Sequence, residues 1–477
     1  MDDFAALDAT AQAEAVRRGD VSRGELVAAA IARLERLDPT LGAMAAPLFE
    51  HARAELRDVD AAAPFAGVPF VMKDLGACFG GQPYYAGNGA LRAIGYKAPE
   101  ETYLARRFRL AGLVPIATTK TPEFGLQSTT QPLAFGPARN PWSLLHTPGG
   151  SSGGSAVAVA AGIVPLAHAN DGAGSIRIPA AWCGLIGLKP SRGRIALEPT
   201  TIGRTLVGFA VTKSVRDTAA LLDAVHGNEP GDLYRLPPPA RPFLREVGAD
   251  PGRLHVGLLT RMPGGSAHPE AVAAAEGAAR LLDALGHAVE PSGPEALFEE
   301  ERAWQGLVFG PVEYRLCLRE LGRMLGRPAV EDDVEPYLWT VADPHGPSVS
   351  PEEYLEAAAS QQAWAVRVAS WFAGGFDLLV TPTVPDPAPL LSHLDGAVLD
   401  PYTLLDRMAR HLAFTEPFNV TGNPAISLPL HWTADGLPMG VQLVARVGRE
   451  DLLLRVAAQL EAAAPWAGRR PPIFVAD

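Results

Sequence analysis

Apolar positions along this chain follow a helical period in some stretches and short continuous runs in others, and the two kinds alternate. Residues 9–62 read as helices. Ser22-Arg23-Gly24-Glu25 has the form of a capping box, and Leu26, Ala30, Leu34 and Leu37 follow at helical spacing. Residues 67–75 are a short apolar run that predicts a strand ending near Lys73-Asp74. A helix over 100–112 and a strand over 114–119 come next. Residues 156–161 form an Ala/Val element between two loops of small residues, and 191–209 read as loop and short strand. Ser214-Val215-Arg216-Asp217 caps a helix through Val225. Strand 254–260, helix 269–285 and strand 287–290 then make an α/β unit. The pattern ends with a mostly helical stretch over 304–339, a helix over 351–373, strands over 377–383, 425–430 and 440–445, and a closing helix over 450–463. No internal repeat interrupts it. Strands alternating with helices predict the α/β class, a sheet covered by helices on both faces.

Composition narrows the class. With 47% hydrophobic and 20% charged residues among 477, the chain can build a large core, so it is globular. A formal charge of −12, with no concentrated Lys/Arg run, argues against a nucleic-acid partner. No apolar stretch reaches the ~18 residues of a membrane span, so no membrane partner is expected. Cys78, Cys183 and Cys317 fall in no metal-like spacing and suit a reducing cytoplasm. Met1-Asp2-Asp3-Phe4 carries no apolar h-region, so no secretory signal is expected. Forty-four prolines suggest stiffened loops, and the proline-rich 230–242 reads as a linker.

The candidate chemistry lies around the Ala/Val element. Thr147-Pro148-Gly149-Gly150-Ser151-Ser152-Gly153-Gly154-Ser155 precedes it, and Asn170-Asp171-Gly172-Ala173-Gly174-Ser175-Ile176-Arg177-Ile178-Pro179 follows. Each loop presents a serine. Consecutive small residues leave backbone N–H groups uncovered, and such nests hold anions or oxyanions. Taken singly, a cluster of this kind is a pair of tight turns around a buried helix. Lys73, taken singly, is a solvated charge at a strand end; drawn into apolar surroundings, its pKa falls and the neutral amine becomes a usable base. Asp74 would oppose that fall if it pointed inward.

Other chemistries fit less well. Gly150-Ser151-Ser152-Gly153-Gly154 formally matches G-x-S-x-G, but that nucleophile elbow needs a preceding buried strand, and 140–148 is polar with prolines. Asp377 and His411 would be free choices as its partners. No Gly-Lys-Ser/Thr follows the glycines, which excludes a P-loop. No HExxH or Cys/His cluster supports a metal site.

On these residues the chain resembles the amidase signature family of serine hydrolases. The resemblance rests on Gly149 to Ser155, on Asp171 to Pro179 and on Cys183-Gly184-Leu185-Ile186-Gly187-Leu188-Lys189-Pro190-Ser191. It also rests on Gly67-Val68-Pro69-Phe70-Val71-Met72-Lys73-Asp74-Leu75, on Phe418 to Ala425 and on Gly436-Leu437-Pro438-Met439-Gly440, and so spans nearly the whole chain. His168 to Ser175 departs from the commoner Gly-Thr-Asp-Thr-Gly-Gly-Ser and is similar to the 6-aminohexanoate cyclic dimer hydrolases, the nylon-oligomer amidases.

The resemblance implies an amidase signature fold, a central mixed twisted β-sheet with helices on both faces. It implies one domain over 1–477: N-terminal helices 1–62, catalytic core 64–228, helical substrate-pocket region 265–345 and C-terminal core 350–477. It implies a Ser-Ser-Lys triad of Ser175 as nucleophile, Ser151 as bridge and Lys73 as base, with a cis bond between Gly150 and Ser151. The N–H groups of Gly172, Ala173, Gly174 and Ser175 would form the oxyanion hole, which asks of Ala173 a φ that an L-residue tolerates. Asp171 would brace the loop, Arg177 would fix it to a carboxylate, and Ser152 and Ser155 would bind backbone. Relatives approach substrate near 127–131, making Gln127 a pocket candidate. Phe309, Tyr314, Cys317 and Trp339 are further candidates because specificity segments tend to be insertions such as 304–339. Lys120 stands where relatives carry asparagine, so no role is carried onto it. The implied activity is cofactor-free hydrolysis of a small-molecule aliphatic or cyclic amide through an acyl-enzyme, by a homodimer. Aryl amides and carbamates are the alternative within the family. An amidotransferase subunit of a tRNA-linked complex is the alternative of another class, disfavoured by the acidic charge and by Ile178 in place of glutamine.

Overall fold

The computed structural model describes residues 2–198, 205–299 and 301–475, so 199–204, within the predicted loop of 191–209, lie outside the described residues. Eleven strands of the described chain form one sheet. The first six are β1 (Met44–Pro47), β2 (Val68–Lys73), β3 (Leu113–Thr119), β4 (Leu166–Asp171), β5 (Ile186–Lys189) and β6 (Val207–Thr212). The last five are β7 (His255–Leu258), β8 (Ala288–Pro291), β9 (Leu378–Pro382), β10 (Ala425–Trp432) and β11 (Pro438–Ala445). Their order is β1-β3-β2-β4-β6-β5-β10-β11-β9-β7-β8. β3, β2 and β4 run parallel, β4 through β9 pair antiparallel, and β9, β7 and β8 are parallel again. The sheet is mixed, as expected.

Helices cover both faces. Neighbouring residues of a strand point to opposite faces, yet every position of β2, β3, β4, β6, β9 and β11 is buried. Each fully buried Val, Leu, Ile or Phe of these strands contributes about 1.5–3 kcal/mol.

Ser22 forms both halves of its capping box with Glu25 at the start of Arg23–Leu41. Ser214 caps Val215–Val225, and helices Pro351–Ala373 and Glu450–Ala463 span the residues that periodicity predicts. The stretch 304–339 is two helices, Glu301–Leu325 and Pro336–Ala342, separated by a turn. Residues 230–242 are exposed coil, and β7 beyond them joins the same sheet.

Some elements escape sequence patterning. β1 lies inside the stretch read as helices; three of its four residues pair antiparallel with the end of β3 around a bulge at Ala45, a long-range contact with no local signal. β4 continues to Asp171, two residues into the predicted turn cluster, because all six of its residues pair with β6. The short helices Gly89–Ala93, Arg177–Cys183 and Glu416–Val420 are at most two turns long, too short for a period to register, and Pro401–His411 is a further helix the pattern did not give.

Candidate active site

β2, β3 and β4 end at one edge of the sheet, the end at which α/β proteins place their ligands. Val71 of β2 lies opposite Ala167 of β4, so Lys73 at the end of β2 comes beside Asn170 near the end of β4. The Lys73 side chain is fully buried, and its Nζ lies 2.7 Å from Ser151 Oγ and 2.6 Å from Asn170 Oδ1. Burial drives its pKa well below the ordinary 10.5, a fall that the Asp171 charge opposes only in part. Asp74, next in the chain, turns away and accepts from Tyr85 N–H at 2.9 Å; burial lifts its carboxyl to about 7.

Ser151 sits in the tight loop before helix Gly153–Ala160, and the Gly150–Ser151 peptide is cis. Gly150 is there for space: a Cβ would come within 2.5 Å of Thr129 O and 2.8 Å of Gln127 O. Thr130 Oγ1 donates to Gly149 O and accepts from Gly153 N–H, closing the loop on itself. Ser152 and Ser155 donate to the carbonyls of Asn170 and His168, so both serve backbone.

The loop after β4 carries Ser175, which is half-buried. Among the described residues, the N–H groups of Gly172, Ala173, Gly174 and Ser175 find no protein acceptor. Three of their carbonyls are fixed instead: Thr205 Oγ1 donates to Gly172 O, Thr415 Oγ1 to Ala173 O and Ile178 N–H to Gly174 O. Ala173 is not among the residues with positive φ, whereas Gly174 has φ 147°. Four free amides with pinned carbonyls beside a serine make an anion-receptive nest.

Asp171 and Arg177 clamp this loop. Both side chains are fully buried, 2.9 Å apart. Asp171 also accepts from the N–H of Ile176 and from Asn419 Nδ2, while Arg177 Nη1 donates to Thr415 O and Gln442 Oε1. Burial alone would raise the Asp171 carboxyl, but the Arg177 guanidinium, Lys189 and the Asn419 amide hold it at about 2.

The remaining candidates fall in two groups. Gln127 is buried, with its carbonyl against Gly150. Its neighbours serve the scaffold: Ser128 Oγ pairs with His411 Nδ1, Thr129 with Thr147, and Gln131 Nε2 reaches Leu391 O and Leu394 O. Tyr314 and Trp339 pack in one cluster with Phe124 and Leu126, next to Gly125, where a Cβ would lie 3.1 Å from Ser151 Oγ. Cys317 is buried on the same helix as Tyr314, and burial lifts its thiol to about 12. Phe309 instead packs with Ala357 and edge-on to Tyr354 of helix Pro351–Ala373, away from that cluster, because it lies on another face of its helix. Lys120 turns from the site to the carbonyls of Phe135 and Gly136.

The nucleophile-elbow alternative has no support here. Residues 140–148 form turns and coil, Asp377 accepts from His255 N–H, and His411 is occupied by Ser128. Asn170, Thr415, Asn419 and Gln442 are contributors that sequence reasoning gave no role. The available signals were the position of Asn170 in the departing motif and of Asn419 in the C-terminal signature.

A family model described as Amidase matches residues 25–454. The chain belongs to the amidase family. Such a match makes it an enzyme, a hydrolase of amide bonds. The 6-aminohexanoate-cyclic-dimer hydrolase of Pseudomonas sp. (strain NK87) is 44% identical over 98% of this chain and 97% of its own length. Among solved structures of the amidase kind, a 6-aminohexanoate cyclic dimer hydrolase complexed with substrate superposes with a TM-score of 0.94 at 42% identity, covering 98% of this chain and 99% of its own. A bacterial aryl acylamidase of the amidase signature family superposes at 0.84 and 26% identity, over 97% and 99%.

Proposed function

We propose that this chain hydrolyses aliphatic or cyclic amides, 6-aminohexanoate cyclic dimer among them, through an acyl-enzyme on Ser175. The observation that carries the reading is the contact between Ser151 Oγ and a fully buried Lys73 whose ammonium form is disfavoured. A serine hydroxyl is a poor nucleophile until a base removes its proton. Neutral Lys73 takes a proton from Ser151, Ser151 takes one from Ser175, and Ser175 Oγ attacks the amide carbon. The amides of Gly172, Ala173, Gly174 and Ser175 receive the negative charge on the former carbonyl oxygen, where each donor typically contributes about 10²–10³ in rate. The relay then runs backward: the proton returns through Ser151 to the leaving nitrogen, the C–N bond breaks, and water hydrolyses the ester by the same steps. The substrate comes from the relatives, 44% identical over nearly the full length.

Gln127, Tyr314, Cys317 and Trp339 belong to the substrate wall in this reading, with Phe309 buttressing it from behind. The reading also takes 1–477 as one catalytic domain in a reducing cytoplasm, consistent with three unpaired cysteines, and as a homodimer, which sedimentation would report as twice 50.3 kDa.

The test is a hydrolysis screen of purified protein across cyclic amides, linear amides, anilides and carbamates. Turnover of the cyclic dimer is expected, and Ser175→Ala should lower kcat by at least about 10³-fold. Anilide turnover well above that of the cyclic dimer would overturn the substrate assignment, and an active Ser175→Ala would overturn the nucleophile.

A further inference from the structure

Lys73 Nζ has two polar neighbours, and the mechanism above uses one. The other is Asn170 Oδ1 at 2.6 Å. The orientation of that amide is fixed by its far end, because Asn170 Nδ2 donates to Leu75 O at 2.9 Å and a carbonyl can only accept. The nitrogen therefore faces Leu75 and the oxygen faces Lys73. The amide is seated where Gly76 leaves room: a Cβ there, at φ 91°, would stand 2.4 Å from Nδ2.

We propose that Asn170 is a positioning residue for the Lys73 amine, turning its lone pair toward Ser151. The inference rests on the reading of Lys73 as base. A neutral amine carries two N–H donors and one lone pair. Asn170 Oδ1 accepts and cannot donate, so an N–H must point at it. With that direction taken, the lone pair is free to face Ser151 Oγ, 2.7 Å away, and to receive its proton. Without Asn170 nothing fixes the rotation of the amine, the lone pair can turn away from Ser151, and the relay slows. Threonine, at this place in the commoner motif, both donates and accepts, so it would not impose this direction.

The other charged groups around Lys73 are accounted for. β4 contributes Asp171, an ionised carboxylate paired with Arg177 that in part favours the ammonium form of Lys73, and His168, which burial and Lys73 push to about 3. Asp74 points to Tyr85 N–H, and from β3 Lys120 turns to the Phe135 carbonyl. On the helical side Arg17 and Arg33 are spent on the carbonyls of Pro64 and Ile163. Helix Gly153–Ala160 has no titratable side chain. Asn170 is thus the place where one added charge would act on the amine directly.

The experiment is the pH dependence of kcat and KM on 6-aminohexanoate cyclic dimer for Asn170→Asp and Asn170→Ala, with Lys73→Ala as control and thermal melts to establish folding. A carboxylate at position 170 holds the ammonium form of Lys73, so Asn170→Asp should move the acid limb of kcat/KM up by at least one pH unit, with activity recovering at alkaline pH. Asn170→Ala should lower kcat at least tenfold with KM within twofold. If Asn170→Asp fails to fold, the Asn170→Ala split between kcat and KM decides. Folded variants with parental limb and kcat overturn the inference while an inactive Lys73→Ala leaves the base assignment standing. An active Lys73→Ala overturns both.

Discussion

Arg177 spends its guanidinium on Asp171 within its own loop and on Thr415, Gln442 and Asn419 far along the chain. Lysine, a single point charge, would not reproduce that fork. Removing one member of a buried ion pair costs about 3–5 kcal/mol, since the partner stays buried and charged. Arg177→Ala should therefore lose about that much stability in denaturant titration, with kcat falling as the Ser175 loop loosens. Of these residues, Lys73, Ser151, Ser175, Asp171 and Arg177 were singled out by the family resemblance, and the structure sets Lys73 against Ser151 and Asp171 against Arg177. Asn170 was not: its contact with Lys73 spans 97 residues and exists only because β2 and β4 lie side by side. Phe309 packs against helix Pro351–Ala373 and not with Tyr314 and Trp339, which the sequence did not show for a related reason. A helix shows which residues share a face, and the fold decides which face meets the substrate.

The turn after β3 ties the site to the helical insertion. Glu123 accepts from Asn88 Nδ2 and from Glu335 N–H, and Asn88 also donates to Asp333 O. The same turn ends at Gly125, against Ser151. Burial, then the neighbouring Glu335, raise the Glu123 carboxyl from 4.5 to about 8. A carboxyl raised on folding binds its proton more tightly in the folded chain, so its contribution to stability falls as pH rises from about 4.5 to about 8. Glutamine does not titrate. The stability of the parent relative to Glu123→Gln should decline across that window, by at most about 1.4 kcal/mol per pH unit, in parallel denaturation series. A second element-level test is Gly440→Ala. On β11 a Cβ would lie 2.4 Å from Ser427 Oγ and 2.7 Å from Ala181 Cα, in the helix that follows Ser175. Overpacking of this kind costs about 1–3 kcal/mol, and a melt together with kcat would show the cost and the shift of the helix. Most long elements were readable from the chain, although Pro401–His411, capped by Asp400, was not. β1, four residues without alternation, and helix Arg177–Cys183, under two turns long with Pro179 in its first turn, owe their form to partners elsewhere.

Across the whole molecule, one sheet crosses the coil at 230–242, since β9 and β11 beyond it join β5 and β6 before it through β10. That coil is exposed and is the expected first site of limited proteolysis. Strand pairing and the Arg177 clamp should hold the nicked halves together, so activity should persist after mass spectrometry shows complete cleavage there. Activity lost in step with cleavage would mean that the coil itself supports the site. The α/β class was legible from alternating elements. The strand order was not, because pairings such as β5 with β10 join residues more than 200 positions apart.

The clamp on the Ser175 loop also sets an order of events during synthesis. Thr415 leaves the ribosome 240 residues after Ser175, roughly 12–48 s later at ordinary elongation rates. Throughout that interval the growing polypeptide carries Ser175 on a loop whose downstream anchors, Thr415, Asn419 and Gln442, do not yet exist. An unfinished chain that stops short of Thr415 should thus hold the Ser175 loop only by Asp171, Arg177 and Thr205, and amide hydrolysis is expected of the completed product alone.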